Sequence, residues 1–448
     1  MWESDKKYFL IVVLHLIIGA AIFYVPFFSK IYGFAIIIGG IYYSIVRQNK
    51  NNEVLYAAAY MVGAEIVLRM TDGNPIYEFS KYGVMILVLI GMYFKGISKN
   101  AVPYWIFLIL LIPGIIIALY STNNAANLRK MLSFNISGPV CLGICALYAY
   151  NRPVTFKEVN NILLFLGLPI ISCMVYLSLY TPNLKEVLTG TGSSFEASGG
   201  FGPNQVSTVL GLGIFIFVAR MVYNSGTKIL FLINLFVVSN IAFRGLVTFS
   251  RGGIMTGILM IVILFFITYF KVNSTGKMKM NFMAIFVLIA TGFIWLYSSN
   301  QTGGLIEKRY SNQDAAGRTK ESRFTGREEI VSDQINSFLS NPVFGVGAGI
   351  NTQQRQERTG LEILSHNEVA RMLAEHGALG IIGLLILFAT PAILYLDNKG
   401  HIYLFCFLAF WLLTINHAAM RLAVPAFVYS LSLLKVRLHE EERTVHRK

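Results

Sequence analysis

Charge is scarce in this chain. Asp, Glu, Lys and Arg make up 13% of its 448 residues, against roughly a quarter in a soluble domain. Hydrophobic residues make up 55%, and mean hydropathy is +0.59. A soluble globule is excluded. Cysteine is scarcer still: Cys141, Cys145, Cys173 and Cys406 sit in apolar runs with no C-x-x-C or Cys/His spacing, so they read as small packing residues and not as disulfides or metal ligands. The seven histidines are scattered and the expected outer face carries no DxD-like pair, so neither a metal nor a cofactor is expected. No internal repeat or low-complexity tract is present. The glycines of 345–349 lack the preceding strand and the Lys-Ser/Thr ending of a nucleotide-phosphate loop, and read as a flexible turn.

Long apolar runs are what the chain has instead, among them 9–23, 104–120, 254–270 and 381–395. They are continuous and do not alternate in short segments, which favours helical spans over a barrel. The expected fold class is all-α: a polytopic helical membrane protein of twelve to fourteen transmembrane helices. The candidate spans are 8–27, 32–46, 54–70, 82–94, 103–120, 133–150, 160–180, 204–223, 229–248, 253–270, 281–298, 378–396, 401–416 and 420–434. Three parts are expected: a transmembrane bundle at 1–298, an outer-face loop at 299–377 forming a partly helical cap with an amphipathic helix at 326–340, and final spans with a basic tail at 378–448. Lys6 and Lys7 precede an apolar run with no small-residue cleavage site, so the first span is expected to be retained.

Orientation follows from lysine and arginine. With the N-terminus inside, short inner segments and the tail hold nineteen of the 37 basic residues, and the short outer segments hold nine. Both termini are therefore expected in the cytoplasm. The formal charge of +14 is explained by these loops, and no soluble domain carries a basic patch for nucleic acid. The 181–203 loop, the Ser250-Arg251 turn, the 299–377 loop and the His417/Arg421 turn then share the outer face. In the long loop, Thr325-Gly326-Arg327-Glu328 fits a capping box, Val331, Ile335, Phe338 and Leu339 recur at helical spacing, and Asn341-Pro342 ends the segment.

His366 is the candidate base, since a neutral imidazole at a wet membrane surface takes a proton near physiological pH. A continuous helix would put His366, Ala370, Leu373 and Gly377 on one face and send Glu375 to the other side. Glu375 reads as an ion pair with Arg371. Arg251, followed by Gly252 and Gly253, suits an anion, with Arg244 two helical turns earlier in the same apolar run. Arg327 stands at the start of the amphipathic helix, where free amides favour anions; Arg309 and Arg318 read as solvated surface. Asn204, after Pro203, can bind a sugar or cap a helix. Glu65 and Arg69, at i and i+4, read as a structural pair near Asp72, Glu78 and Lys81. Residues this polar gather at one edge of the spans, whereas a transporter needs charge deep in several spans.

Thr248-Phe249-Ser250-Arg251-Gly252-Gly253, then Gly326-Arg327, then Asn341-Pro342-Val343-Phe344-Gly345-Val346-Gly347, then His366-Asn367 with Glu375 and Gly377, taken in order over about 202–380, resemble the O-antigen ligase and polymerase superfamily. The resemblance implies a GT-C-like fold and metal-independent, inverting glycosyl transfer at the periplasmic face of a bacterial inner membrane. The donor it implies is a glycan on undecaprenyl pyrophosphate. The acceptor is lipid A-core in a ligase, or another lipid-linked glycan in a polymerase of O-antigen or exopolysaccharide. Arg251 and Arg327 match the family's anion-binding arginines, joined here by Arg244, and His366 matches its proposed base. Asn204, Asn367, Glu375 and Arg371 complete the expected substrate-binding set. The chain departs from some ligases in having Asn416-His417 and Arg421 where they carry an acidic residue.

Overall fold

A computed structural model describes residues 5–121, 125–320, 327–360, 365–417 and 420–437, without the side chains of 125–127 and Arg327. The helices are α1 (Asp5–Tyr24), α2 (Pro26–Val46), α3 (Glu53–Met70), α4 (Phe79–Lys95), α5 (Val102–Leu110), α6 (Ile112–Ser121), α7 (Ala125–Ala149), α8 (Phe156–Tyr180), α9 (Leu184–Val187), α10 (Pro203–Tyr223), α11 (Lys228–Val247), α12 (Arg251–Lys271) and α13 (Ser274–Gln301). The cap region contributes α14 (Leu305–Tyr310), α15 (Arg327–Ser340) and α16 (Ile350–Thr359), followed by α17 (Glu368–Asp397), α18 (Leu404–Ile415) and α19 (Ala423–Leu431). The chain is a polytopic helical membrane protein. Each of the fourteen apolar segments of the sequence is helical, and among the described residues ten helices are long and apolar enough to cross a membrane. The α3 and α4 helices carry Glu65, Arg69 and Lys81, while α18 and α19 are short.

Local sequence sets many of these boundaries. Proline, which has no amide hydrogen to lose, opens α2 and sits in the first turns of α5 and α10. Thr155 and Glu158 form a full capping box at α8, and Thr227 and Asn273 cap α11 and α13. The capping box expected at Thr325 to Glu328 begins outside the described residues. The centre of the molecule is α3, α8 and α10; α10 has 89% of its apolar window buried, whereas α13 has 6% and is an edge helix facing the surroundings.

The two ends of the bundle differ. At one end strand β1 (Pro153–Thr155) pairs in parallel with β2 (Lys435–Arg437). The 181–203 loop, the α11–α12 turn, the cap and the α18–α19 turn gather at the other. Thr191 donates to the Gln313 carbonyl (2.8 Å), the Ser194 amide to the Thr248 carbonyl (3.0 Å), and Arg421 to the Ser365 carbonyl (2.6 Å). These are the four segments expected to share a face.

Candidate active site

The first half of the site is built by α10 and α12. Ser207 and Gly211, and Gly253 and Gly257, are small residues four apart, the pattern that lets membrane helices touch backbone to backbone. A Cβ on Gly211 would lie 2.1 Å from the Gly253 carbonyl oxygen. This crossing seats the first turn of α12 on that of α10. Ser250 donates to Asn204 Oδ1 (2.8 Å), Ser207 to Ser250 Oγ (2.9 Å), and Thr208 Oγ1 shares a 2.9 Å hydrogen bond with His417 Nε2. Asn204 is therefore engaged with the Arg251 turn.

Phe249 makes that turn with φ at +57°, a left-handed conformation that costs a bulky residue about 1–2 kcal/mol. Its ring is buried with Leu184, Val247 and Ile306, and its carbonyl accepts from Arg309 Nε (2.9 Å) and Ser193 Oγ (3.4 Å). Arg251, at the first position of α12, donates from Nη1 to the Arg309 carbonyl (3.5 Å). Tyr310 follows, edge-on to Trp295 at 5.0 Å. Burial pushes its hydroxyl up, while the charges of Arg251 and Arg309 pull it back in part. Arg309, expected as solvated surface, instead clamps the turn, and Tyr310 was not singled out by sequence. The available signal was the apolar pair Leu305-Ile306 just before them, which anchors α14.

Arg244 is differently placed than spacing implied. Its helix stops at Val247 and Arg251 opens the next one, so no shared helical face relates them. Arg244 donates to Ser178 Oγ (3.0 Å) and to the Thr181 (3.1 Å) and Ser178 (3.3 Å) carbonyls, tying α11 to the end of α8.

The second half surrounds the start of α17. Asn367 is its N-cap, accepting from the Ala370 amide at 3.0 Å. His366, half-buried, therefore precedes the helix, and the continuous face expected through Ala370 and Gly377 does not form. Arg371 bridges Glu368 and Glu375, 2.6 Å from the latter, with all three buried. The Ser365 carbonyl takes the Arg421 bond already described, and the Arg421 carbonyl accepts from Arg69 (3.2 Å). Arg69 pairs with Glu65 (2.9 Å), which accepts the Ala423 amide (2.8 Å). The α18–α19 turn thus joins the halves: His417 touches the Arg251 side, and Arg421 holds the residue before His366. Arg327 opens α15, but its side chain lies outside the described residues.

Glycine governs how the cap meets α17. Gly377 has φ +59° and ψ −139°, a region open essentially to glycine, and the kink lets the 342–349 segment dock. The Val346 amide donates to the Ala374 carbonyl (2.9 Å), Gly347 to Glu375 (3.2 Å), and Ala378 to Pro342 (2.8 Å). The turn expected to be flexible is bonded down. Hollows of about 700 Å³, beside Ile117 and Pro342, and about 640 Å³, beside Tyr77 and Phe134, adjoin the cap; Arg251 lines neither.

Residues 235–388 match a family model described as O-antigen ligase. The matched stretch runs from α11 into α17 and takes in the Arg251 turn, the cap and the His366 segment. It supports membership of the O-antigen ligase superfamily, and with it glycosyl transfer of the ligase and polymerase type involving lipid-linked glycans. No curated protein matches the chain.

Proposed function

We propose that this protein transfers a glycan from undecaprenyl pyrophosphate to an acceptor hydroxyl at the periplasmic face of a bacterial inner membrane, with both termini in the cytoplasm. The observation that carries the reading is the α18–α19 turn, which ties the arginine turn of Arg251 and Arg309 to the segment bearing His366 at one end of the bundle. In the proposed step His366 takes the proton of the acceptor hydroxyl. The oxygen attacks the anomeric carbon from the face opposite the leaving group, and the bond to pyrophosphate breaks with its electron pair on the departing phosphate oxygen. Arg251 stabilises that charge, with Arg327 assigned the same role from the family pattern and Arg309 adjoining Arg251; one well-placed donor contributes about 3–4 kcal/mol. No metal is invoked.

Asn204 and Asn367 position the substrate-contacting segments, and Arg371 with Glu375 braces the start of α17. Arg244 acts by holding α11 to α8. Lipid A-core is the proposed acceptor, as in a ligase; a polymerase would use the same groups on a second lipid-linked glycan.

The test supplies purified, reconstituted protein with undecaprenyl-pyrophosphate glycan and lipid A-core. His366→Ala and Arg251→Ala should each lower transfer by about a hundredfold or more while leaving an inserted, folded protein. Transfer at the wild-type rate in both variants overturns the reading. A capped core as product identifies a ligase, a longer polyprenyl-linked chain a polymerase.

A further inference from the structure

The hollow of about 640 Å³ between the α3–α4 loop, α7 and α16 has the chemistry of a sugar site. Tyr77 and Phe134 stack within it, centroids 6.1 Å apart and planes 30° from parallel. Each ring is backed by a cation: Arg69 lies 4.4 Å from the Tyr77 centroid, and Arg421 lies 5.6 Å from that of Phe134. Glu78 lines the same hollow. It is 5% exposed and bound to Lys81 through Oε2, while its Oε1 is buried with no hydrogen-bond partner. The α16 carboxamides of Gln353 and Gln356 form the opposite rim. A desolvated carboxylate oxygen without a donor is costly, and a cavity of this size with apolar walls and a few polar groups is built like a ligand site.

A pyranose matches those walls. Its ring carries an apolar C–H face that packs on an aromatic plane, ringed by hydroxyls that donate to carboxylates and exchange hydrogen bonds with carboxamides. The hollow also borders the segment that precedes His366. A gap of about 10 Å³, too small for a sugar, is lined by Phe134, Asn135 and Thr352, which border the hollow, and by Ser365 and Arg421. It opens on the Arg421 side of the α18–α19 turn, whereas His417 of that turn faces the Arg251 side.

We propose that this hollow is a saccharide-binding site, in which the Tyr77–Phe134 pair stacks on a sugar ring, Glu78 accepts its hydroxyls, and the acceptor glycan is held with its reacting end toward His366. That the bound sugar is the acceptor rests on the glycosyl-transfer reading above; that the hollow binds sugar does not. Two sources share this chemistry, the core oligosaccharide and the glycan otherwise carried by the donor.

Both can be released by mild acid and titrated, free of lipid, against the full-length protein in nanodiscs, with binding read by saturation-transfer NMR and calorimetry. Wild-type protein should bind at least one of them. Tyr77→Ala, at a half-exposed position, and Gln356→Ala, at an exposed one, should weaken binding, the former by about tenfold. Tyr77→Phe should restore it. Core oligosaccharide binding marks a ligase acceptor, and donor-type glycan a polymerase acceptor. Failure of wild-type protein to bind either glycan, or wild-type binding by Tyr77→Ala, overturns the site. Loss of the site with His366-dependent transfer intact leaves the glycosyl-transfer reading standing; sugar binding without any transfer leaves the site and removes that reading.

Discussion

Phe249 holds a strained φ because three things hold it: its ring is buried under α14, its carbonyl is taken by Arg309, and the next residues must begin α12 against α10. Strain that persists this way marks a turn whose geometry matters, since it orients the first residues of α12. Gly252 is the sensitive point. A Cβ there would meet His417 Cδ2 at 2.7 Å, so Gly252→Ala should push the imidazole off Thr208. A displacement of about 1 Å costs on the order of a hundredfold in rate, and transfer should fall while the thermal midpoint changes little; an unchanged rate would show that the contact is incidental. At this scale Arg251 was legible because an arginine between an apolar run and a glycine pair is conspicuous. Arg309 was not, since its partner is a backbone carbonyl sixty residues away in sequence.

Among the elements, α17 is decided by one dihedral pair. The sequence puts a boundary between loop and span at 377/378, whereas the helix runs on to Asp397 with a kink at Gly377, and its start at Asn367 follows from ordinary capping. Gly377→Ala should destabilise the fold by at least about 1–3 kcal/mol through strain alone, with the new Cβ also 2.6 Å from the Val343 carbonyl oxygen. A lowered thermal midpoint of detergent-solubilised protein is the measurement.

The joint between α15 and α16 answers to pH instead. Burial pushes the Asp333 carboxyl up, but hydrogen bonds and charge from Arg358 and Arg355 outweigh it and hold it below its ordinary 3.8. A depressed carboxylate contributes stability that is full above its unfolded value and is lost as pH falls through the folded one. Amide exchange in α16 should therefore rise only below about pH 4, and Asp333→Asn should exchange at that faster rate at neutral pH as well.

For the whole molecule, the membrane class and the helical segments followed from composition and run length, because lipid leaves the backbone few alternatives. Membrane-crossing count was less legible. Buried ion pairs at Glu65–Arg69 and Glu78–Lys81 place charge in α3 and α4 that only their packing explains. The gathering of the four segments at one end of the bundle was readable from helix parity, whereas the contacts between them were not, being made through backbone carbonyls and glycine approaches that leave no periodic trace. The proposed orientation makes a direct demand. A cysteine introduced at Ser311, in the cap, should react with a membrane-impermeant maleimide in intact spheroplasts, and one at Lys435 only after lysis; the reverse pattern would invert the topology.

The native thiols make that demand unusually clean. Cys141, Cys145, Cys173 and Cys406 are all unbridged and enclosed by the bundle, so the wild-type surface presents no thiol to an aqueous reagent. Any single cysteine placed on either side reports its own address against a silent background, without first stripping four residues from the interior.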